Sequence, residues 1–588
     1  MNYRLSGSKD ARKKESLRRA FKKLSPLLSG EKKSLAIALS ATLIWSAAAL
    51  LDPMIISWTI DSYIKNKDIH GVLISTAILL GVYAITLAAS YIQTITLGGV
   101  GRRVLFNLRN AIFDKLQELP AAFFNQNKSG DLISRINNDT DKLNQFIGQA
   151  LMQFMRSSFI VAGSGIFLLS INFRLGAAAL IPAIAVLIAT SLLSSWVERT
   201  NFKSLQAAGG MSSEIQESLA NFKVVAAFNR FDYFRDNFKT VNLENFRASI
   251  KAGIASSIFA PIYNTASGMA QLMVLGYGIY LINAGDLTVG SLIGYLLYVN
   301  TFYGPLRQLA AVWPSMQLAF AAVDRISEVL SLRSDMEIVE DKEGVSGNGP
   351  LLEFKKVSFT YPDEGRTVLS KIDIKLQKGK TYALVGPTGG GKTTTASLMA
   401  RLYDASEGAI LLDGKDIRSY PHDVRSRKIG FILQEPFLFT GTIRDNIVYG
   451  NEKYMDYTDD QLTTALDEAG LLGLIGRFSE GLETKIAASG DTISLGQKQL
   501  VAFIRAVLRE PDLLILDEAT ANIDTVTEQL LEDIIDKLPK KTTKVIIAHR
   551  LNTIDNADEI YFVNAGKIVL AGSMDQAVKM LMGQKRTS

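Results

Sequence analysis

Between about residue 34 and residue 313 one pattern recurs, an apolar run of roughly 20 residues, which as a helix is long enough to cross a hydrocarbon core of about 30 Å. Six such runs can be placed, centred near Ile44, Ala84, Ile160, Ala185, Met269 and Leu297. A chain that carries them has to bury them in lipid, as helices whose backbone groups are paired internally. Small-residue stretches such as Ala162-Gly163-Ser164-Gly165 allow close helix contact. The third and fourth runs are separated by a tight turn around Asn172-Phe173-Arg174, and the outer connections are short. The inner connections, about 100–150 and about 197–250, are long and polar yet keep helical periodicity. They predict helices that continue past the bilayer, turn near Ile133 to Asp139 and near Leu219 to Ala226, and come back.

The basic residues fix the orientation. Residues 1–33 hold eleven Lys/Arg against three Asp/Glu, so this arm alone outweighs the net charge of +6 carried by all 588 residues. Basicity concentrated beside an apolar run suits an anionic membrane surface and not nucleic acid, and it places both ends of the six-run unit in the cytoplasm of a cell-membrane protein. The arm is too long and charged, and the following run too long, for a secretory signal. Leu17, Phe21, Leu24 and Leu28 recur at helical spacing between Arg18, Arg19, Lys22 and Lys23, as in a helix lying on the bilayer, with a solvated amphipathic helix as the alternative. Cysteine is absent and the three histidines, His70, His422 and His549, are far apart, which excludes disulfide scaffolds and thiolate or imidazole metal clusters.

After Leu332 the pattern changes. A charged, Gly-containing stretch, 333–350, reads as a linker, and from 351 to 588 short β-branched strands alternate with helices, the pattern of an α/β domain. Tyr382-Ala383-Leu384-Val385, Leu513-Leu514-Ile515-Leu516 and Val545-Ile546-Ile547 have the continuous apolarity of buried parallel strands. The organisation is therefore an arm (1–33), a helical membrane domain (34–332), the linker (333–350) and an α/β P-loop domain (351–588).

The first of those strands leads into Gly386-Pro387-Thr388-Gly389-Gly390-Gly391-Lys392-Thr393-Thr394 and then a helix. Glycines at that spacing let backbone N–H groups close around phosphates, with Lys392 on the β/γ-phosphates and Thr393 on Mg²⁺. The strand ending in Asp517-Glu518 adds one carboxylate for the metal and a second for the attacking water, as general base.

With these two elements in place the chain resembles the ATP-binding-cassette family, over essentially its whole length. Tyr361, in Phe359-Thr360-Tyr361-Pro362, matches the aromatic that stacks on adenine, and Gln434, in Ile432-Leu433-Gln434-Glu435, matches the glutamine that senses Mg²⁺ and the γ-phosphate. Ile493-Ser494-Leu495-Gly496-Gln497 resembles the LSGGQ signature, and His549 stands at the switch-histidine position. Phe123-Phe124-Asn125 through Gly130-Asp131-Leu132-Ile133-Ser134-Arg135 and Asn138-Asp139 is similar to the first intracellular loop of multidrug-type exporters, and Pro53 and Asp61 fit the end of their first span. The resemblance implies one half of a type IV-like exporter using ATP and Mg²⁺, and a second half-transporter whose nucleotide site Ser494, Gly496 and Gln497 complete.

The residues that act on the chain's own site are family-like, whereas those that act across the dimer depart from the pattern. Leu495 replaces glycine, Ala487-Ala488 stands where glycine and glutamate are usual, and Ala521-Asn522-Ile523-Asp524 replaces Ser-Ala-Leu-Asp. The asymmetry implies a heterodimer in which the partner lacks a carboxylate equivalent to Glu518, with a homodimeric exporter or lipid flippase as the alternative. A peptide exporter and a cassette-gated channel or receptor subunit are further alternatives, and the intact Glu518 favours turnover over gating. The resemblance implies a hydrophobic or amphipathic substrate, drug or lipid. Asp52, about 17 residues into the first helix and so roughly 25 Å along it, is expected near the outer surface in solvent. Gln149, Gln153, Asn264, Gln271 and Asn300 are polar cavity candidates, with buried interhelical hydrogen bonding as the alternative.

Overall fold

The computed structural model describes residues 3–5, 29–340, 349–361, 365–487, 493–517, 525–547, 557–571, 576 and 579. The surface helix expected around Leu17 to Leu28 lies outside the described residues. The chain forms two compact units, one of Ser6–Leu116 with Gly130–Ser331, the other of Met1–Leu5, Gln117–Ser129 and Leu332–Ser588.

The helices before the linker are α1 (Lys32–Thr59), α2 (Ile69–Gln117), the short α3 (Ala121–Gln126), α4 (Ser129–Ile171), α5 (Phe173–Ala220), α6 (Phe222–Ala227), α7 (Phe231–Ser257), α8 (Phe259–Ala284) and α9 (Val289–Ser331). Among the described residues five helical stretches are long and apolar enough to cross a membrane: Ser29–Ile64, Ile69–Gln117, Ser129–Ile171, Phe173–Ala220 and Phe231–Ala284. The sixth expected run, around Leu297, lies on α9, which is not one of the five.

Within the membrane unit α9 is held to its neighbours by tyrosine hydroxyls. The one hydroxyl hydrogen of Tyr295 is shared between the carbonyls of Leu168 (3.0 Å) and Asn172 (2.9 Å), while Tyr298 donates to Leu50 (2.7 Å) and Tyr303 to Ala179 (2.9 Å). In an apolar surrounding each phenol needs an acceptor, and helix carbonyls can accept a second bond. Gly176 sets the closeness of the outer turn, since a Cβ there would lie 2.1 Å from the Leu168 carbonyl oxygen. That turn falls where expected: the Asn172 side chain accepts from the N–H groups of Arg174 and Leu175 and starts α5. Asp61 does the same for α9, accepting from Gly290 N at 2.9 Å and from the Thr288 hydroxyl.

At the other end of the unit Arg135, 1% exposed, donates to Asp131 (3.0 Å), Glu328 (2.7 Å) and the Arg325 carbonyl (2.8 Å), while Arg325 pairs with the buried Asp139. This ionic knot ties the base of α4 to the base of α9. It also corrects the expected turn at Ile133 to Asp139, because that segment is helical within α4. The chain turns earlier, at Leu119 to Lys128, where Pro120 takes an extended conformation and opens α3, and Asn127, also extended, ends it. The second turn lies where expected, with Asn221 separating α5 from α6.

The cassette unit contains β1 (Leu352–Thr360), β2 (Thr367–Leu376), β3 (Thr381–Val385), β4 (Glu407–Leu412), β5 (Ile429–Ile432), β6 (Leu513–Asp517), β7 (Thr543–Ile547), β8 (Glu559–Asn564) and β9 (Lys567–Leu570). The larger sheet runs β9-β8-β3-β7-β6-β5, parallel except for β9, and β2-β1-β4 form an antiparallel sheet. Alternate residues of the parallel strands feed different cores. Ala383, Val385, Leu514, Leu516 and Ile546 join one, and Tyr382, Leu384, Ile515, Val545 and Ile547 join the other. Burial on both faces accounts for the unbroken apolar runs.

Candidate nucleotide site

The carboxyl ends of the parallel strands share one edge. Leu384, Ile547 and Asp517 stand in register across β3, β7 and β6, and Ile432 of β5 pairs with Leu516. The loop after β3, Asp517 itself and Gln434, two residues beyond β5, therefore leave the sheet together, the position where open parallel sheets bind ligands.

The phosphate loop is shaped by backbone that only glycine suits. Gly386, Gly389 and Gly391 have φ of +149°, +78° and +112°. A Cβ on Gly386 would lie 2.0 Å from the Val563 carbonyl oxygen, and on Gly390 2.7 Å from the same atom, so β8 backs the loop and any side chain would push it outward. The helix α10 (Lys392–Met399) starts directly after the loop. Lys392 is buried and bends back to donate to the carbonyls of Gly386 (2.8 Å) and Pro387 (3.1 Å), which holds its ammonium over the cradle. Thr388 and Thr393 are exposed, and Thr395 is turned inward onto the Gly391 carbonyl (2.9 Å). Thr394 is buried, and its hydroxyl meets that of Tyr361 at 3.1 Å, so it steadies the aromatic instead of facing the loop.

Tyr361 follows β1, with its ring edge-on to Phe359 at 4.8 Å and to Tyr403 at 5.4 Å. The cradle would be filled by any Cβ, and the hydroxyl of Thr393, amide of Gln434 and buried carboxylate of Asp517 are hard oxygen donors, so the residues fit a nucleotide phosphate with Mg²⁺. Glu518 and His549 lie outside the described residues.

The signature segment stands on another helix, α11 (Leu495–Val507). Ser494 caps it: its hydroxyl accepts from Gln497 N (3.2 Å) while the Gln497 side chain accepts from Ser494 N (2.9 Å). Gly496 is buried, and Leu495 in the first turn is 40% exposed.

In the membrane unit Gln271 donates to Asn300 (2.8 Å) and Arg307 to Asn264 (3.2 Å), interhelical pairs that are exposed in this chain and not the buried pairing weighed for these residues. Asp52 is only partly exposed, with Oδ1 buried and without a hydrogen-bond partner, a correction to the expected solvent exposure. Sequence reasoning missed Arg156. Its guanidinium stacks 4.0 Å from the Trp45 ring and donates to Gln93 (2.7 Å), which donates to Thr42 (2.7 Å). The available signal was a lone basic residue inside the apolar run of α4.

Comparison with known proteins adds an independent line. Residues 35–306 match the family model of the ABC transporter transmembrane region, and residues 369–521 match the ABC transporter model. The uncharacterized ABC transporter ATP-binding protein YfiC of Bacillus subtilis is 32% identical over 97% of the chain and 94% of its own length. A multidrug resistance ABC transporter ATP-binding and permease protein of Lactococcus lactis is 32% identical, covering 85% of this chain and 84% of its own. The ATP-dependent lipid A-core flippase of Pectobacterium atrosepticum is 30% identical over 94% of each.

Proposed function

The chain belongs to the ABC transporter family as an exporter half-transporter of the cell membrane that couples ATP hydrolysis to transport, and from that premise we propose that it moves a hydrophobic or amphipathic molecule, a drug or a lipid, by alternating access. The single observation that carries this reading is the glycine cradle and Asp517 at one sheet edge, in a chain whose other unit is a bundle of membrane-length helices.

Lys392 and the loop amides hold the phosphates, Tyr361 stacks on adenine, and Thr393, Gln434 and Asp517 would hold Mg²⁺, which would supply positive charge to offset that of the phosphates. Glu518 takes the proton of the attacking water, and His549 steadies the transferred phosphate. Nucleotide binding favours paired cassettes, pairing favours outward access, and hydrolysis resets the cycle, a population shift whose driving force is the preference of ATP for the closed pair. The α9 helix is the sixth span.

The partner is a second half-transporter. Leu219, Phe222, Val224 and Phe228 at the α5–α6 tip are exposed apolar residues, as are Phe437, Phe439 and Tyr449 on the cassette. Exposed apolar patches of this kind suit burial against another chain. The partner differs from this chain: its signature completes the site of Glu518, and Leu495 contributes to a weak second site. The test is ATPase activity and molar mass of the chain in nanodiscs, with Glu518→Gln as the blank. An inactive chain rescued by co-expressing a second half-transporter supports the asymmetric pair. An active dimer of identical chains overturns it and leaves a homodimeric exporter, and full turnover by Glu518→Gln overturns the role of Glu518.

A further inference from the structure

Within the cassette unit Tyr3 is as buried as the strand core, at 1% exposure, and every polar group of its backbone and side chain has a partner. Its N–H donates to the Gln126 side chain (2.7 Å), its carbonyl accepts from the Asn127 side chain (3.0 Å), and two residues on, Leu5 N donates to Asn127 Oδ1 (3.0 Å). The ring stands edge-on to Phe123 of α3, with centroids 6.4 Å apart. Its hydroxyl accepts from Asp335 N at 2.8 Å, at the start of the linker. Burial raises the Tyr3 phenol above its ordinary range, so it stays neutral and hydrogen-bonded at physiological pH.

Both structures that Tyr3 grips lead to the same turn. From α3, Asn125 donates to the Tyr403 hydroxyl (2.5 Å). From the linker, the Glu337 carbonyl accepts from Arg401 (2.9 Å), whose guanidinium is buried and also paired with Asp404 (2.9 Å). Residues 401–404 follow α10, and Tyr403 packs at right angles to Tyr361, 5.4 Å away.

We propose that Tyr3–Leu5 is a clasp that joins α3 to the linker and, through Asn125–Tyr403 and Glu337–Arg401, sets the position of the adenine-facing Tyr361. Tyr3 is thus a positioning residue for nucleotide, and the inference rests on the reading of Tyr361 given above. Four polar contacts and one ring contact converge on a three-residue segment and register α3 against the linker. A loosened clasp leaves Lys392 and Asp517 where they are, so the effect falls on affinity for ATP and not on the hydrolytic step.

The test is steady-state ATPase of the full-length assembled transporter in nanodiscs, for Tyr3→Ala, Asn125→Ala, the double variant, and Tyr361→Ala as the reference. Tyr3→Ala is expected to raise KM for ATP about three- to tenfold with kcat nearly unchanged, and its effect should not add to that of Asn125→Ala, since both break one chain of contacts. Tyr3→Phe, which keeps the ring on Phe123 and loses only the acceptor for Asp335 N, should lie between, and it carries the test where Tyr3→Ala does not purify as an intact assembly. A raised KM in Tyr361→Ala beside an unchanged KM in Tyr3→Ala and Tyr3→Phe overturns the clasp alone. Unchanged KM in all of them overturns the adenine reading and the clasp with it, and additive effects of Tyr3→Ala and Asn125→Ala refute the shared route.

Discussion

The membrane unit and the cassette unit depend on opposite kinds of residue. In the membrane unit the decisive positions are polar groups in apolar surroundings: the Tyr298 hydroxyl on Leu50 and the Tyr303 hydroxyl on Ala179. In the cassette the decisive positions are those with no side chain at all, Gly386 and Gly390, pressed against the Val563 carbonyl. The difference follows from the solvent each unit faces. Lipid supplies no hydrogen bonds, so a helix bundle gains specificity from the few polar groups that find partners inside it. A phosphate site needs backbone N–H groups left available, so its specificity comes from removing side chains.

The largest effect is expected from filling the cradle. Gly386→Ala should abolish ATP binding and turnover while the membrane unit still inserts, as read by nucleotide binding and by membrane localisation; normal binding would dissolve the contrast between the units. Next is Arg135→Ala, which leaves Asp131 and Glu328 without the buried arginine that joins them and should cost about 1.5–3 kcal/mol, seen as a lower thermal midpoint in detergent. A shift of only a degree would mean that the knot is solvated. Tyr298→Phe removes one hydroxyl and should cost about 1 kcal/mol in the same measurement, with the ring still stacked on Phe167 at 5.2 Å.

The smallest effect concerns the cassette surface. Burial pushes the Asp413 carboxyl up, but hydrogen bonds from Lys378 and Lys428 outweigh it and hold the group below the usual carboxylate range. A depressed carboxylate contributes stability above its unfolded value of about 3.9 and loses it as pH falls through the folded value. Asp413→Asn should therefore be slightly less stable than wild type near neutrality, with the gap closing below about pH 4. A gap that persists in acid would assign the loss to packing instead.

Legibility followed the same division. The phosphate loop could be read because its constraint is local: a strand, glycines at fixed spacing and a lysine that opens a helix occupy twelve consecutive positions, from Thr381 to Lys392. The outer turn at Asn172 was equally local, one capping side chain and two N–H groups. The first inner turn was misplaced by about a dozen residues because helical periodicity runs through both Leu119–Lys128 and Ile133–Asp139, and only the ion pairs of Arg135 and Arg325 show which of the two stays helical. Arg156 escaped notice because a single charge barely perturbs an apolar run, although its partners Gln93 and Trp45 come from two other helices.

By itself, then, the sequence determined the solvent of each half, the membrane-length helices, the parallel strands and the chemistry of the loop at Gly386, since each is written in the order and period of neighbouring residues. Tertiary structure alone decided that Tyr3, Phe123, Asp335 and Tyr403 belong to one cluster and that Thr394 serves Tyr361. Those contacts join residues separated by tens to hundreds of positions, and a hydrogen bond between distant residues leaves no periodic trace in either of the segments it joins.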